Sequence, residues 1–499
     1  MGFVLPLIGF IVLFLIIYAL IDAYPKIKLN IPSPPSIPII GHLHKVIGLD
    51  TEQQLKLAQQ YSNNTERMMK FWFFNVLAIA PSTPELFQKI LSSEECMEKP
   101  YIAYRLLTLN NGLLASRFHR WQRDRKFFNN SFKMSTLQSF LPIFNEAADR
   151  IVDDMRDNVN CEAFNISPYI FKCTMKMICS TSLGMRINKV ENEEAFDKIY
   201  HAVNYVIESI ASLQNKPVVY PETIYLLTPR AWKHIASAWF LRNFHFKIMS
   251  ERRKVLDNQD NNNIRDEDSP YYDIFIDQLL KNKGLFTDRE IWEHILTILA
   301  AGYETSATCL SHCMLFIAMF QDVQQKMFDE INEVFPNGDE EITLDRLGKL
   351  QYMERVIKET LRLAPVGPVI FRETRKEFEI EPGLVIPKGV VFILHIYCLH
   401  RSKKYWGERA EEFDPDNFLP ERVAQRHPAT FIPFSFGKRN CIGTRYAMLS
   451  MKTILLKFLQ RYKVTTNLKY NELRFKSTLT LQLIGKHLVQ ITERKRHEE

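Results

Sequence analysis

The chain has 499 residues, 46% hydrophobic, 12% aromatic and 24% charged, a mix that excludes a disordered or low-complexity polypeptide. Its 64 Lys and Arg against 57 Asp and Glu give a formal charge of +7. That is too little for a nucleic-acid footprint over this length, and it suits an anionic membrane surface or an acidic partner equally. Eight cysteines, none at zinc-site spacing, exclude a disulfide-stapled scaffold and fit a reducing compartment.

Residues Phe3 to Ile21 are uncharged, with only Pro6, Gly9 and Tyr18 interrupting an aliphatic and Phe-rich run. About 20 such residues at 1.5 Å each cross a hydrocarbon core of roughly 30 Å, so residues 1–21 are expected to be a membrane anchor. No basic residue precedes the run and no small-residue cleavage site is evident, which argues against a cleaved signal. Lys26 and Lys28 behind it place the remaining chain on the cytosolic side. The sequons at Asn63, Asn129 and Asn165 should then stay unglycosylated. Residues 22–45 hold Pro25, Pro32, Pro34, Pro35 and Pro38 before Gly41 and read as a stiff spacer.

From Thr51 onward most of the chain is patterned as amphipathic helix, with strand-like runs at Met68–Ala80 and Val385–Tyr397. The expected fold is mainly α with a small β-rich lobe. In "HRWQRDRKFF", Trp121 and Arg125 share one helical face at i and i+4. The polar stretch Asp257–Ser269 reads as a solvated loop. Thr287 and Glu290 have capping-box spacing and open a helix that runs to Phe320, about 50 Å long, before a break at Gln321 and Asp322. In its middle stands "AAGYETSAT". There Gly302 lacks a side chain, the Thr305 hydroxyl can bond back along the helix, and Glu304 is an acid in an apolar stretch. Farther on, "KETLRL" puts Glu359 and Arg362 on one face, and Arg372 follows Pro365 by seven residues.

The segment "FIPFSFGKRNCIGTRYAM" sets Cys441 on a Gly-rich turn before an amphipathic helix. The positive helix end and the neighbours Lys438 and Arg439 favour a thiolate there. Gly437 and Gly443 allow close backbone approach. Phe434, Gly437, Arg439, Cys441 and Gly443 fill every fixed place of the pattern F-x-x-G-x-R-x-C-x-G. On these residues the chain resembles the cytochromes P450, the haem-thiolate monooxygenases.

The resemblance implies a mostly helical haem-thiolate fold with a small β-rich lobe, with residues 46–499 as the catalytic domain behind one transmembrane helix. It implies a non-covalent haem b with Cys441 as axial ligand to iron in a loop shaped by Phe434 and Gly437. Arg439, Trp121, Arg125 and Arg372 would meet the propionates. The motif A-G-x-(D/E)-T-(T/S) casts Glu304 and Thr305 as the acid and alcohol that deliver protons for oxygen activation. Ala301 stands where related enzymes carry a glutamate esterified to haem. The E-x-x-R pair Glu359 and Arg362 would be buried, but Asn417 in "EEFDPDNFLPER" replaces the arginine that many members add to it, with Arg422 a candidate substitute.

The stretches "NNGLLASRFHRWQRDRKFFNNSF" and "FDPDNFLPER" look most like the microsomal fatty-acid ω-hydroxylase branch and its insect relatives. The implied partners are NADPH–cytochrome P450 reductase, which supplies NADPH electrons through flavins, together with cytochrome b5, the endoplasmic reticulum membrane and a small lipophilic substrate; nucleic acid is not among them. Arg120, Arg123, Lys126, Lys133, Lys438 and Arg445 offer either a docking face for the flavoprotein or a solvated face. The substrate stays open among fatty acids, hormone-like lipids and foreign compounds. Two rivals are a reductase-independent thiolate-haem isomerase or dehydratase and a non-catalytic haem-binding membrane protein. The intact acid–alcohol pair favours the monooxygenase.

Overall fold

A hairpin opens the β-lobe: Met68–Phe73 (β1) and Val76–Pro81 (β2) pair antiparallel, with Phe71 opposite Ala78. The turn passes through Phe74 at φ 53°. Val369–Glu373 (β3) pairs antiparallel with Val391–His395 (β4), and β4 runs parallel to β2, giving the sheet order β1-β2-β4-β3. One face carries Leu77, Ile79, Phe392 and Leu394 into a core shared with Phe87 and Ile90. The expected strand run Val385–Tyr397 is broken up. Leu384–Ile386 pairs with Phe378–Glu381 in a separate hairpin, and Tyr397 lies in the short helix Ile396–His400.

This computed structural model describes Phe14 and residues 29–104, 111–187, 190–214, 225–262, 274–282, 284–338 and 340–494. The expected anchor, Phe14 apart, and spacer residues 22–28 lie outside the described residues.

The helical body is built on Phe118–Ser131 (α1), Ser167–Leu183 (α2), Val190–Gln214 (α3), Pro229–Asn262 (α4), Asp288–Met319 (α5), Gln351–Leu363 (α6) and Thr444–Arg461 (α7). The α5 start is the expected capping box: the Thr287 hydroxyl accepts from the Glu290 amide, and the Glu290 carboxylate accepts from the Thr287 amide at 2.9 Å. Residues 306–318 of α5 are all buried, so this helix is the axis of the core. Helix α2 packs closely along it because Gly302 has no side chain; a Cβ there would lie 2.6 Å from Ile178 Cδ1. The chain bends after Met319 into Gln321–Val334, as the sequence suggests.

Among the described residues no single helix is long and apolar enough to cross a membrane. Only α5 and its successor pass jointly, bent by 108°, and α5 is core. The polar stretch expected to be a loop from Asp257 is instead helical as far as Asn262, the end of α4; its remainder lies outside the described residues. Local propensity is weak there, and continuation of the long helix that precedes it wins.

After α7, Tyr462–Thr465 (β5) pairs with Leu488–Glu493 (β8). Between them the hairpin Phe475–Ser477 (β6) and Leu481–Leu483 (β7) rests on α5. It is tied by Thr480 to Glu304 and by the Leu481 carbonyl to His312.

Candidate functional site

The Cys441 loop is fixed by backbone geometry. The Cys441 amide donates to Phe434 O at 2.9 Å and the Asn440 amide to Gly437 O at 3.2 Å. Ser435 and Gly437 adopt φ 64° and 73°. At Gly437 no other residue fits, since a Cβ would lie 2.1 Å from Leu91 O. Helix α7 begins three residues beyond the cysteine. The Cys441 side chain is accessible yet surrounded by protein, so burial pushes its thiol above the usual range. The Gly443 amide, the Thr444 hydroxyl and Arg125 act in the opposite sense.

Of the expected sources of positive charge at the sulfur, the helix start acts through the Gly443 amide, but the two basic neighbours are corrected. Lys438 turns outward to Glu94 at 2.5 Å, and Arg439 turns inward to the Met97 carbonyl at 2.6 Å and the Ser116 carbonyl. The charge felt at the sulfur is that of Arg125. Its guanidinium donates to the Asn440 carbonyl at 2.7 Å and to Asn440 Oδ1 at 2.8 Å.

The predicted anion-binding residues converge. The Arg439 guanidinium lies 5.1 Å from the Trp121 ring centroid, and Arg372 donates to the Arg439 carbonyl and Ser435 Oγ, each at 3.4 Å. Arg372 is 1% exposed and Arg439 6%, and Arg439 Nε has no hydrogen-bond partner. Desolvation, then Arg372, pulls the Arg439 pKa down to about 9. Lys99 and Tyr104 stand beside them. No sequence motif marks these two.

On α5, Ala301 and Thr305 are exposed one turn apart while Tyr303, Glu304 and Ser306 are buried. Ala301 and Thr305 therefore share an accessible strip on a largely buried helix. The Thr305 hydroxyl donates to the Ala301 carbonyl at 2.7 Å, the back-bond expected from sequence. Glu304, its neighbour, points elsewhere: adjacent helical positions diverge by about 100°. It accepts from the Thr480 hydroxyl at 3.0 Å. Burial pushes its carboxyl up to about 7, the Thr480 hydrogen bond opposes this, and the Glu208 charge adds to it. No hydrogen bond links this acid and alcohol to each other or to the cation cluster among the described residues.

Glu359 and Arg362 are both fully buried and make a two-pronged pair, both contacts at 2.7 Å. Arg362 also donates to the carbonyls of His400, Ala410 and Glu412. The place of a third arginine is taken by Asn417 itself, whose Nδ2 donates to Glu359 Oε1 at 3.2 Å. Arg422 does not substitute; it is half-exposed on Asp414. The cation that returns to this network is Arg426, which donates to the Asn417 carbonyl and lies 4.3 Å from the Trp406 ring centroid. Arg362 lies 4.8 Å from the same centroid.

Of the six basic residues offered as a docking face, Arg120 and Arg123 belong to an internal clamp. Arg120 binds Asp124 and Glu293, and Arg123 binds Asp124 and Glu290, joining α1 to the start of α5. Lys126, Lys133 and Arg445 are exposed.

The donor set fits a haem. The Cys441 sulfur is accessible, a group of cations with no ion-paired carboxylate among the described residues can meet two propionates, and the buried Arg439 Nε–H has no hydrogen-bond partner. A family model described as Cytochrome P450 matches residues 31–489. The chain is 33% identical to Probable cytochrome P450 313a1 of Drosophila melanogaster, over 92% of each chain. It is 30% identical to Cytochrome P450 4c21 of Blattella germanica, over 93% of each. Against Cytochrome P450 4V2 of Homo sapiens it is 31% identical, over 89% of this chain and 86% of that one. The crystal structure of a cytochrome P450DA mutant haem domain superposes with a TM-score of 0.78 at 22% identity, covering 94% of this chain and 98% of that one, and so shares the fold. The chain belongs to the cytochrome P450 family of haem monooxygenases.

Proposed function

We propose that this protein is a membrane-anchored monooxygenase that inserts one oxygen atom of O2 into a C–H bond of a lipophilic substrate, using NADPH electrons delivered by a reductase. The observation that carries this reading is the placement of the accessible Cys441 sulfur near Arg125, with Arg439 and Arg372 buried nearby and without an ion-paired carboxylate among the described residues. Cys441 would hold the haem and Arg125, Arg372, Arg439 and Trp121 would meet its propionates; when bound, the group would supply oxygen activation, which an electron-rich thiolate ligand favours.

The remaining chemistry belongs to side chains. Thr305 presents its hydroxyl on the accessible strip of α5. Glu304 titrates near neutrality and can hold and release a proton there. Ala301 offers no carboxylate for an ester to the cofactor. The anchor at 1–21 and spacer at 22–45 hold the domain, 46–499, at the cytosolic face of the endoplasmic reticulum, and exposed Lys126, Lys133 and Arg445 suit an acidic redox partner, reductase or cytochrome b5. The resemblance to the ω-hydroxylase branch favours a fatty acid or related lipid as substrate. NADPH-dependent oxygen consumption in the presence of reductase, measured across a lipid panel, tests this. Turnover of lipid peroxides without NADPH would favour the isomerase reading instead.

A further inference from the structure

A chain of hydrogen bonds runs from the start of α2 through two histidines to the β6–β7 hairpin. The Ser167 hydroxyl lies 2.8 Å from His487 Nδ1, His487 Nε2 lies 2.9 Å from His312 Nδ1, and His312 Nε2 lies 3.1 Å from the Leu481 carbonyl oxygen. A carbonyl oxygen can only accept, so His312 Nε2 carries the proton. In a neutral ring Nδ1 must then accept, so His487 Nε2 donates to it. His312 is 1% exposed; burial pushes its pKa down to about 4, and the Leu481 hydrogen bond opposes this. Burial first, then the His312 ring, holds the His487 pKa well below the usual histidine range. Both rings are therefore neutral near pH 7, and the Ser167 hydroxyl donates to His487 Nδ1. Every donor points the same way, toward Leu481.

The hairpin meets α5 at two side chains: the Thr480 hydroxyl donates to Glu304, and the Leu481 carbonyl accepts from His312. Glu304 and His312 are eight residues apart, about 12 Å along the helix. The Leu481 amide is bound to the Val366 carbonyl at 2.9 Å, outside α5. The His312 bond therefore sets the height of Leu481, and of Thr480 beside it, along α5. At the other end of the chain the backbone of His487 is anchored without its ring. Its amide donates to Asn165 Oδ1 at 3.2 Å, and its carbonyl accepts from the Ile166 amide at 3.1 Å. The half-buried ring is left to fix the His312 tautomer. Without its Nε2–H, the His312 proton could move to Nδ1 and turn a bare lone pair toward the Leu481 oxygen.

We propose that His312 and His487 are positioning residues for Glu304: they hold Leu481 against α5 so that the neighbouring Thr480 hydroxyl stays on the Glu304 carboxyl. The inference rests on the proposed function only in giving Glu304 a proton to handle. The other titratable groups facing Glu304 are Glu208 on α3 and Tyr303 on its own helix. Neither belongs to the hairpin, so the histidines act on the acid through Thr480.

The ionisation of Glu304 in the folded state is read from the pH dependence of stability, each full-length variant being compared with its own Glu304→Gln partner in denaturant titrations. A hydrogen bond to a charged group corresponds to roughly tenfold or more in the ionisation constant, and Thr480→Val should weaken the acid by that factor. His312→Phe keeps a ring beside Phe475 but donates nothing, and is expected to weaken the acid to a similar extent. Adding Thr480→Val to it should weaken the acid no further. His312→Gln, whose amide can donate to Leu481 and accept from His487, should restore the wild-type value. His487→Phe, at the half-buried end, decides the matter where the interior substitution does not fold; it should act in the same direction by less. Glu304 ionisation unchanged in both phenylalanine variants, or a weakening that adds fully to that of Thr480→Val, overturns the proposal. Because the readout is stability, a wild type that consumes no oxygen with NADPH and reductase refutes the proposed function and leaves the positioning result standing.

Discussion

The Thr480 hydroxyl donates a 3.0 Å hydrogen bond to Oε1 of Glu304, tying the β6–β7 hairpin to the middle of α5. This contact and the Glu208 charge act in opposite directions on one buried carboxyl, which burial pushes up to about 7. The α2 lysines do not supply a counter-ion: Lys172 is held by Asp197 and Lys176 by Glu193. Thr480→Val should therefore move the acid limb of the pH profile for coupled turnover to higher pH, and Glu208→Gln should move it to lower pH. Shifts in the same direction, or none, contradict the arrangement.

The same carboxyl affects stability with a definite sign. In the folded protein it titrates near 7, against 4.5 for an ordinary glutamate, so between these values the folded state binds more protons than the unfolded one. Stability is then lost as pH rises from about 4.5 to 7. Glu304→Gln should be more stable than wild type above pH 7, on the order of 2–3 kcal/mol. The difference should shrink toward pH 5 in denaturant titrations. Parallel pH curves for the two proteins would count against burial as the cause.

Thr305→Ala removes the hydroxyl on the accessible strip of α5 while leaving the Ala301 carbonyl one turn back. Proton delivery should suffer more than substrate binding. Peroxide released per NADPH oxidised is expected to rise with the substrate-induced spectral shift unchanged. An unaltered coupling ratio would remove Thr305 from the proton path.

At the buried Glu359–Arg362 pair, Asn417 donates to a fully buried carboxyl already bridged by a guanidinium, whereas the Arg422–Asp414 pair is at the surface. Asn417→Ala is expected to cost about 1.5–3 kcal/mol and Arg422→Ala under about 1 kcal/mol, measured by denaturant midpoint. The reverse order would restore Arg422 to the role assigned to it from sequence. Arg362→Ala, which strands the carboxylate, should cost about 3–5 kcal/mol.

Gly437→Ala places a Cβ on Leu91 O and demands φ 73° of an L-residue. A loss of at least about 2 kcal/mol with reduced haem content is expected. A variant of wild-type stability would mean that the Cys441 loop is softer than its hydrogen bonds indicate.

What the sequence makes legible is mostly local. The Thr287–Glu290 cap and the Glu359–Arg362 pair lie three residues apart, so helical geometry alone brings them together. Thr305 bonds back to Ala301 for the same reason. Adjacency in sequence misleads at Lys438 and Arg439, because the left-handed turn at Ser435 and Gly437 throws their side chains in opposite directions, away from the sulfur. Arg426 escaped notice because its approach to Asn417 depends on how the chain turns after Pro420. The grouping of Lys99 with Arg372 and Arg439 joins segments more than 270 residues apart, which no spacing rule reaches.

The central claim is that the Cys441 sulfur is the ligand to haem iron, and reducing the purified protein under carbon monoxide tests it most directly. Wild type should give the red-shifted ferrous–carbonyl band of a thiolate-ligated haem, and Cys441→Ala should lose that band. A thiolate-type band that persists without Cys441 would contradict the account.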